Sequence, residues 1–147
     1  MTMPKKRGIG IAVSQFNEFI TKRLLSACVD ELRRRGVKKT QITTVHVPGA
    51  FELPLACLKL ARKKDIAAVV ALGAVIRGET FHFELVSETA AQGISQVGLM
   101  TGKPVIFGVI TTDTVNQAYD RSQEDGDNKG RDAAEAALDM IKTMASL

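Results

Sequence analysis

The stretch GAVIRGETFHFE, residues 73–84, gathers the groups best suited to acid–base chemistry in this chain. It contains His82, one of only two histidines, and an imidazole changes its charge near neutral pH. Gly78, Glu79 and Thr80 precede it and offer backbone N–H groups at a predicted loop-to-helix junction, a place suited to anions. An anion pocket beside a titratable imidazole predicts chemistry on a phosphorylated substrate. The structural alternative is a histidine that only forms hydrogen bonds at a helix start.

Aromatic and charged side chains in other loops are candidates for the same site. Phe16 and Phe51 lie in predicted loops, where stacking on a flat heterocycle and packing in a core or subunit contact are about equally good explanations. Glu52 either binds hydroxyl groups or caps the helix that follows it. Arg121 and Lys129 flank the polar segment SQEDGDN and are either phosphate ligands or surface charges. Their spacing in the sequence, taken alone, favours the interpretation as surface charges.

Other classes of site lack their sequence pattern. Cys28 and Cys57 sit among apolar, helix-like residues and are too few for a disulfide framework or a metal centre, so we interpret them as core residues. His46 falls inside a predicted strand and is interpreted as structural. No G-x-G-x-x-G follows the first strand, which argues against a dinucleotide site. We therefore expect neither a metal nor a cofactor.

Composition predicts one globular domain over residues 1–147, with 45% apolar and 24% charged residues and a net charge of +4. The basic clusters at residues 5–7, 33–35 and 62–64 lack interleaved aromatic residues, so no nucleic-acid partner is expected. The apolar run at residues 9–13 is too short for a signal peptide or a membrane span. We therefore expect a cytoplasmic protein that does not contact membranes.

Alternating strands and helices must position these side chains. Apolar runs predict strands at residues 9–13, 41–47, 66–75 and 104–111. Helical spacing predicts helices at 22–35, from a turn at 48–49 to about 61, at 85–100, near 115, and from 129 to the end. Thr21 is expected to cap the first helix and Gly36 to follow its end. This order predicts a flavodoxin-like, single-domain α/β/α sandwich with three layers and a four-stranded parallel sheet.

Ligands of open α/β sheets bind outside the carboxyl ends of the strands. The segments that follow the four predicted strands are residues 14–17, 48–52, 74–82 and 111–113, and they hold the unusual residues of the chain. Chance would scatter such residues over both edges of the sheet. Their concentration at one edge predicts a small-molecule site there.

Five stretches together resemble one family, the lumazine synthases (6,7-dimethyl-8-ribityllumazine synthases) of riboflavin biosynthesis. They are FNEFIT (16–21), VPGAFELP (47–54), ALGAVIRGETFHFE (71–84), PVIFGVITTDT (104–114), and AYDR with NKG (118–121 and 128–130). They occur in family order over nearly the whole chain, which makes the combination specific. The resemblance implies that 5-amino-6-(D-ribitylamino)uracil condenses with 3,4-dihydroxy-2-butanone 4-phosphate, with loss of phosphate and water. Such a reaction needs proton transfer and an anion site more than a cofactor.

Matched position by position, the resemblance implies roles for individual residues. His82 would be the acid–base residue. The phosphate of the butanone substrate would be held by Glu79, Thr80, Arg121 and Lys129. Phe16 would stack on the pyrimidine, and the rest of the ribityluracil pocket would be Ala50, Phe51, Glu52, Ala74, Val75, Ile76 and Phe107. Glu79 stands where the family commonly has a small residue, and a carboxylate beside a phosphate is unfavourable unless it points away.

The resemblance also implies a homo-oligomer whose active sites lie between subunits, with Phe107, Arg121 and Lys129 supplied by the neighbour. The segment SQEDGDN lacks the glycine–threonine–lysine pattern associated with the sixty-subunit capsids of the family. The arm before the first strand is short and contains Pro4. We therefore favour a pentamer, with a capsid as the alternative. Riboflavin synthase is a candidate partner.

Two other classes of protein compete with this interpretation. A non-catalytic flavin or nucleotide binder of the same fold would not need His82 or Arg121 and should purify yellow. A phosphate-sensing or scaffold protein would use the same loops for contacts only. Neither class explains five ordered motifs. Mixing the protein with both substrates distinguishes them, because only an enzyme forms the fluorescent lumazine faster than the spontaneous reaction does.

Overall fold

The computed structural model describes residues 7–147, so Pro4, Lys5 and Lys6 lie outside the described part of the chain. Its strands are β1 (Gly8–Ser14), β2 (Ile42–Val47), β3 (Ile66–Ile76) and β4 (Val105–Thr112). Its helices are α1 (Glu18–Arg34), α2 (Leu53–Ala61), α3 (His82–Thr101), α4 (Val115–Asp120) and α5 (Lys129–Ala145), with 3₁₀ turns at Lys39–Gln41 and Ala50–Glu52. The predicted order of strands and helices is confirmed.

The four strands form one parallel sheet in the order β2-β1-β3-β4. Val13 of β1 pairs with Leu72 of β3, which in turn pairs with Gly108 of β4. Because every neighbouring pair is parallel, all four carboxyl ends meet at one edge of the sheet. The α/β fold with a four-stranded parallel sheet is therefore confirmed.

Helices cover both faces of the sheet because β3 is buried on both sides along nearly its whole length. On one face α1 and α5 pack through residues such as Leu24 and Ala134. On the other face α2 and α3 pack through residues such as Leu53 and Ile94. These three layers form the predicted sandwich.

The two cysteines lie in separate cores on opposite faces of the sheet, Cys28 on α1 and Cys57 on α2. Burial raises the pKa of each thiol to about 12. Both side chains are therefore protonated core groups, in agreement with the interpretation of their sequence context.

The predicted helix starts were wrong at two places. Helix α1 begins at Glu18 and is preceded by Asn17 rather than by Thr21, because Ile20 and Thr21 are buried and extend the packed stripe by one turn. Helix α3 begins at His82 rather than at residue 85. The prediction for the end of α1 was correct, since Gly36 follows it with a φ of 99°.

Within residues 7–147, none of the helices combines the length and apolar character needed to cross a membrane. Among the same residues, no group of three or more His, Cys, Asp or Glu side chains could hold a metal ion.

Candidate active site

A cavity of about 690 Å³ opens at the carboxyl ends of β1, β2 and β3. Its walls come from the loop after β1, the turn before α2, the end of β3 and the first turns of α3. Nine of the residues predicted above line it: Phe16, Ala50, Phe51, Glu52, Ala74, Val75, Ile76, Thr80 and His82. The loops that follow three different strands thus meet in one space, and Phe16 and His82 line the same cavity.

The cavity combines a buried apolar base with exposed aromatic rings. Ala74 and Val75, at the end of β3, are 3% and 8% exposed. Phe16 and Phe51 are 70% and 56% exposed, so neither ring packs into the core of its own chain. Their faces are available to stack on a heterocycle or to contact a second copy.

The Phe16 loop is held in place by its neighbour Asn17, which the sequence analysis did not single out. Asn17 has a φ of 61° and is the only residue other than glycine with a positive φ among residues 7–147. Its Nδ2 donates a hydrogen bond of 2.9 Å to the carbonyl of Ala74, and the Phe16 N–H donates to Pro48. These bonds tie the loop to β3 and to the turn after β2. Asn tolerates the left-handed region well, but the distant partner is invisible in sequence.

Glu52 caps the turn before α2, as one of its two interpretations predicted. Its Oε1 accepts a hydrogen bond of 2.9 Å from the Gly49 N–H, which caps the turn before α2. The side chain is exposed on the cavity wall, and its capping hydrogen bond uses Oε1 alone. One oxygen therefore fixes the side chain, and the other can accept a hydrogen bond from a ligand hydroxyl.

His82 is exposed and is the first residue of α3. Its backbone N–H donates a 3.3 Å hydrogen bond to the Thr80 hydroxyl. Gly78 and Thr80 line the cavity, whereas Glu79 between them does not. The N-terminus of a long helix carries partial positive charge, so this wall of the cavity favours an anion beside the imidazole. The Glu79 carboxylate is not part of that wall.

A second concavity, of about 460 Å³, holds the other three predicted residues, Phe107, Arg121 and Lys129. Arg121 and Lys129 are brought together because the Lys129 N–H donates a 2.9 Å hydrogen bond to the Arg121 carbonyl, which closes the intervening loop. The Arg121 guanidinium donates to the Gln117 carbonyl and forms no ion pair with any residue from 7 to 147. Its charge is therefore available to a ligand. The carboxylates of Asp127 and Asp132 share this concavity.

One chain thus carries its predicted site residues in two separate concavities, nine in the first and three in the second, with Glu79 in neither. Several residues that line the first cavity had no role predicted from the sequence: Asn17, Pro48, Gly49, Phe83 and Val86. Phe83 and Val86 were missed because α3 was predicted to begin three residues too late. With the helix begun at His82, their spacing of three residues places both on one face.

A family model described as 6,7-dimethyl-8-ribityllumazine synthase matches residues 6–145 of 147. The matched range contains all five sequence stretches and every residue that lines either concavity.

Proposed function

Because the chain belongs to the 6,7-dimethyl-8-ribityllumazine synthase family, we propose that each of its active sites combines the first cavity of one copy with the second concavity of a neighbouring copy. The chain is a transferase of riboflavin biosynthesis. It condenses 5-amino-6-(D-ribitylamino)uracil with 3,4-dihydroxy-2-butanone 4-phosphate to 6,7-dimethyl-8-ribityllumazine, releasing phosphate and water. Its substrates are therefore small molecules.

The observation that carries the proposal is the division of the site residues between two concavities. Phe107, Arg121 and Lys129 line a space that does not include His82 or Phe16. A second copy that contributes these residues brings the cations to the anion-binding end of the first cavity. Exposed apolar side chains on α3 support such a contact, because Leu85, Leu99 and Met100 are 66%, 84% and 57% exposed.

The first cavity suits the ribityluracil. The exposed Phe16 ring stacks on the pyrimidine. The backbone at Ala74, Val75 and Ile76 forms one edge of the pocket. Glu52 accepts a hydrogen bond from a ribityl hydroxyl through the oxygen that does not cap the turn.

The phosphate of the second substrate lies at the start of α3. Backbone N–H groups near Gly78 and the Thr80 hydroxyl bind it, and Arg121 and Lys129 of the neighbouring copy balance its charge. The Glu79 carboxylate points away. This arrangement holds the carbonyl carbon of the phosphate substrate near the amine of the uracil.

His82 moves protons beside this phosphate. Neutral imidazole accepts a proton from the amine as it adds to the carbonyl, and imidazolium gives that proton to the hydroxyl that departs as water. The neutral imidazole then accepts the carbon-bound proton lost as phosphate is eliminated, and the departing phosphate takes that proton. Most of the acceleration comes from holding two reactants in place rather than from strong acid–base help.

Mixed oligomers test the shared site. His82→Ala damages only the first cavity and Arg121→Ala only the second concavity. If the two variants are unfolded, mixed and refolded together, about one site in four joins two intact halves, since each half is intact with a chance of about one in two. Activity well above the sum of the two separate variants is expected in the lumazine fluorescence assay. A mixture that is no more active than the separate variants contradicts the shared site.

Assembly and location extend the proposal. We propose a pentamer rather than a sixty-subunit capsid, because SQEDGDN lacks the pattern associated with capsids. The cytoplasmic location stays a prediction that cell fractionation tests. Association with riboflavin synthase, which is tested by co-sedimentation of the two purified proteins, stays a prediction as well.

A further inference from the structure

Arg77 joins three elements around the loop that carries His82. Its backbone N–H donates a 2.8 Å hydrogen bond to the carbonyl of Thr112, at the end of β4. Its guanidinium Nε donates a 2.8 Å hydrogen bond to Asp113 Oδ1, just beyond β4. Its Nη1 donates to Glu84 in the first turn of α3. The guanidinium carbon also lies 4.4 Å from the centre of the Phe83 ring, which lines the first cavity.

The loop between Arg77 and Glu84 has little else to hold it. Every residue from 77 to 82 is exposed, so no side chain there anchors the loop in the core. Within the described residues, the only other side-chain hydrogen bond made by residues 77–82 is that between Thr80 and the His82 N–H. The loop nevertheless contains the anion-binding N–H groups and begins the helix that presents the imidazole.

We propose that Arg77 is a positioning residue for the condensation, which fixes the anion-binding loop and the His82 imidazole relative to each other. The inference rests on the function proposed above. Arg77 and Glu84 close the two ends of the loop, and Asp113 attaches that closure to the sheet. The stacked guanidinium holds the Phe83 ring against the cavity in the same way.

Charge argues that Arg77 acts by position rather than by binding phosphate itself. Two carboxylates, Asp113 and Glu84, share the single guanidinium, so the cluster carries a net negative charge. The hydrogen bond from Arg77 lowers the pKa of Glu84, which keeps that carboxylate ionised at neutral pH. A phosphate would have to displace these partners before it could bind Arg77. Arg121, which forms no ion pair among residues 7–147, is the better phosphate ligand.

Removal of Arg77 tests the proposal. Exposed ion pairs contribute little to stability, so Arg77→Met should fold and melt much like the wild type. Its kcat should fall by about tenfold, because small displacements of a catalytic group are costly. The KM for the phosphate substrate should rise. The KM for the ribityluracil should change less, since the Phe16 loop is held to the end of β3 and to Pro48 by other contacts. Arg77→Lys should not restore activity, because an ammonium lacks the planar fork that engages two carboxylates.

Variants on the carboxylate side separate positioning from direct contact. Asp113→Asn, at a side chain that is 65% exposed, should reproduce the pattern of Arg77→Met in milder form. The double variant should lose less than the product of the two separate losses, because both changes break one network. Lys22→Met is the control, since Lys22 also pairs with an exposed carboxylate, that of Glu18, but does not line the first cavity.

Three results would overturn the proposal: a wild-type kcat in Arg77→Met, fully multiplied losses in the double variant, or unchanged kinetic constants in Asp113→Asn. If Arg77→Met fails to fold, Asp113→Asn still decides the question. A wild-type chain that does not accelerate lumazine formation overturns the proposed function as well, whereas an active wild type with unaffected variants overturns only the role of Arg77.

Discussion

At the scale of single residues, His82 and Phe16 show what sequence can predict. Both were identified from residue type and from their position just after predicted strands, and both line the first cavity. Asn17 and Arg77 were missed because their partners, Ala74 and Asp113, lie 57 and 36 residues away along the chain. Residue type thus identified the groups suited to chemistry, and only the folded chain identified the groups that hold them.

Replacement of His82 by alanine should slow the reaction without abolishing it. We expect kcat to fall by roughly ten- to a hundredfold, because proton transfer is lost while both substrates are still held together. Lumazine fluorescence under saturating substrate measures the effect. His46→Ala is the control, since His46 is exposed on β2 and does not line the first cavity. Complete loss of turnover in a correctly assembled His82 variant would contradict this mechanism.

Glu31 links stability to acid pH. Its side chain is only 6% exposed, and Arg34 donates two hydrogen bonds to it, of 2.9 and 2.6 Å. The hydrogen bond from Arg34, opposed by burial, lowers the pKa of Glu31 below its usual 4.5. A lowered pKa means that the stabilisation is complete above the unfolded-state value and is lost as the pH falls through the folded-state value.

Glu31→Gln should therefore lower the free energy of unfolding at pH 7. Below about pH 4.5, the free energy of unfolding should decrease less with falling pH in this variant than in the wild type. Urea denaturation at a series of pH values measures both effects. Asp30→Asn, at an exposed neighbour on the same helix, should change neither. Equal acid sensitivity in the wild type and the Glu31 variant would show that other groups dominate.

At the scale of elements, the strands were predictable because burial on both faces requires continuous apolar runs, as in β3. Helix starts were less predictable. Thr21 has a side chain suited to capping a helix. Because Ile20 packs in the core, however, the turn before Thr21 is also helical, and α1 begins at Glu18. The conformation of the loop that joins Arg121 to Lys129 was less predictable than either helix start. A backbone hydrogen bond closes this loop, and the types of its side chains do not reveal such a bond.

The contact between α1 and α5 depends on Gly130. A Cβ added at this position would lie 2.0 Å from the Leu24 carbonyl oxygen, so the two helices would have to separate. Gly130→Ala should lower the free energy of unfolding by about 2–3 kcal/mol. Chemical denaturation measures the loss. Gly78→Ala is the control for stability, since a Cβ there would meet nothing within 4 Å.

At the scale of the whole molecule, the resemblance implied a site shared between copies, and the division of the site between two concavities supports it. We expect a pentamer of about 80 kDa, from five chains of 15.9 kDa each. Sedimentation equilibrium measures the mass. Leu99→Glu, on the exposed face of α3, should yield smaller particles that keep their helix content but lose activity. A monomer with full activity contradicts the shared site.

Burial of both thiols should make the native protein unreactive toward alkylating reagents. Cys28 and Cys57 are fully buried and protonated, with the sheet between them, so neither can form a disulfide with the other. Thiol titration should read zero in buffer and two per chain in denaturant. Leu147→Cys, at the exposed C-terminus, would then be the single site for a fluorescent maleimide, without removal of either native cysteine.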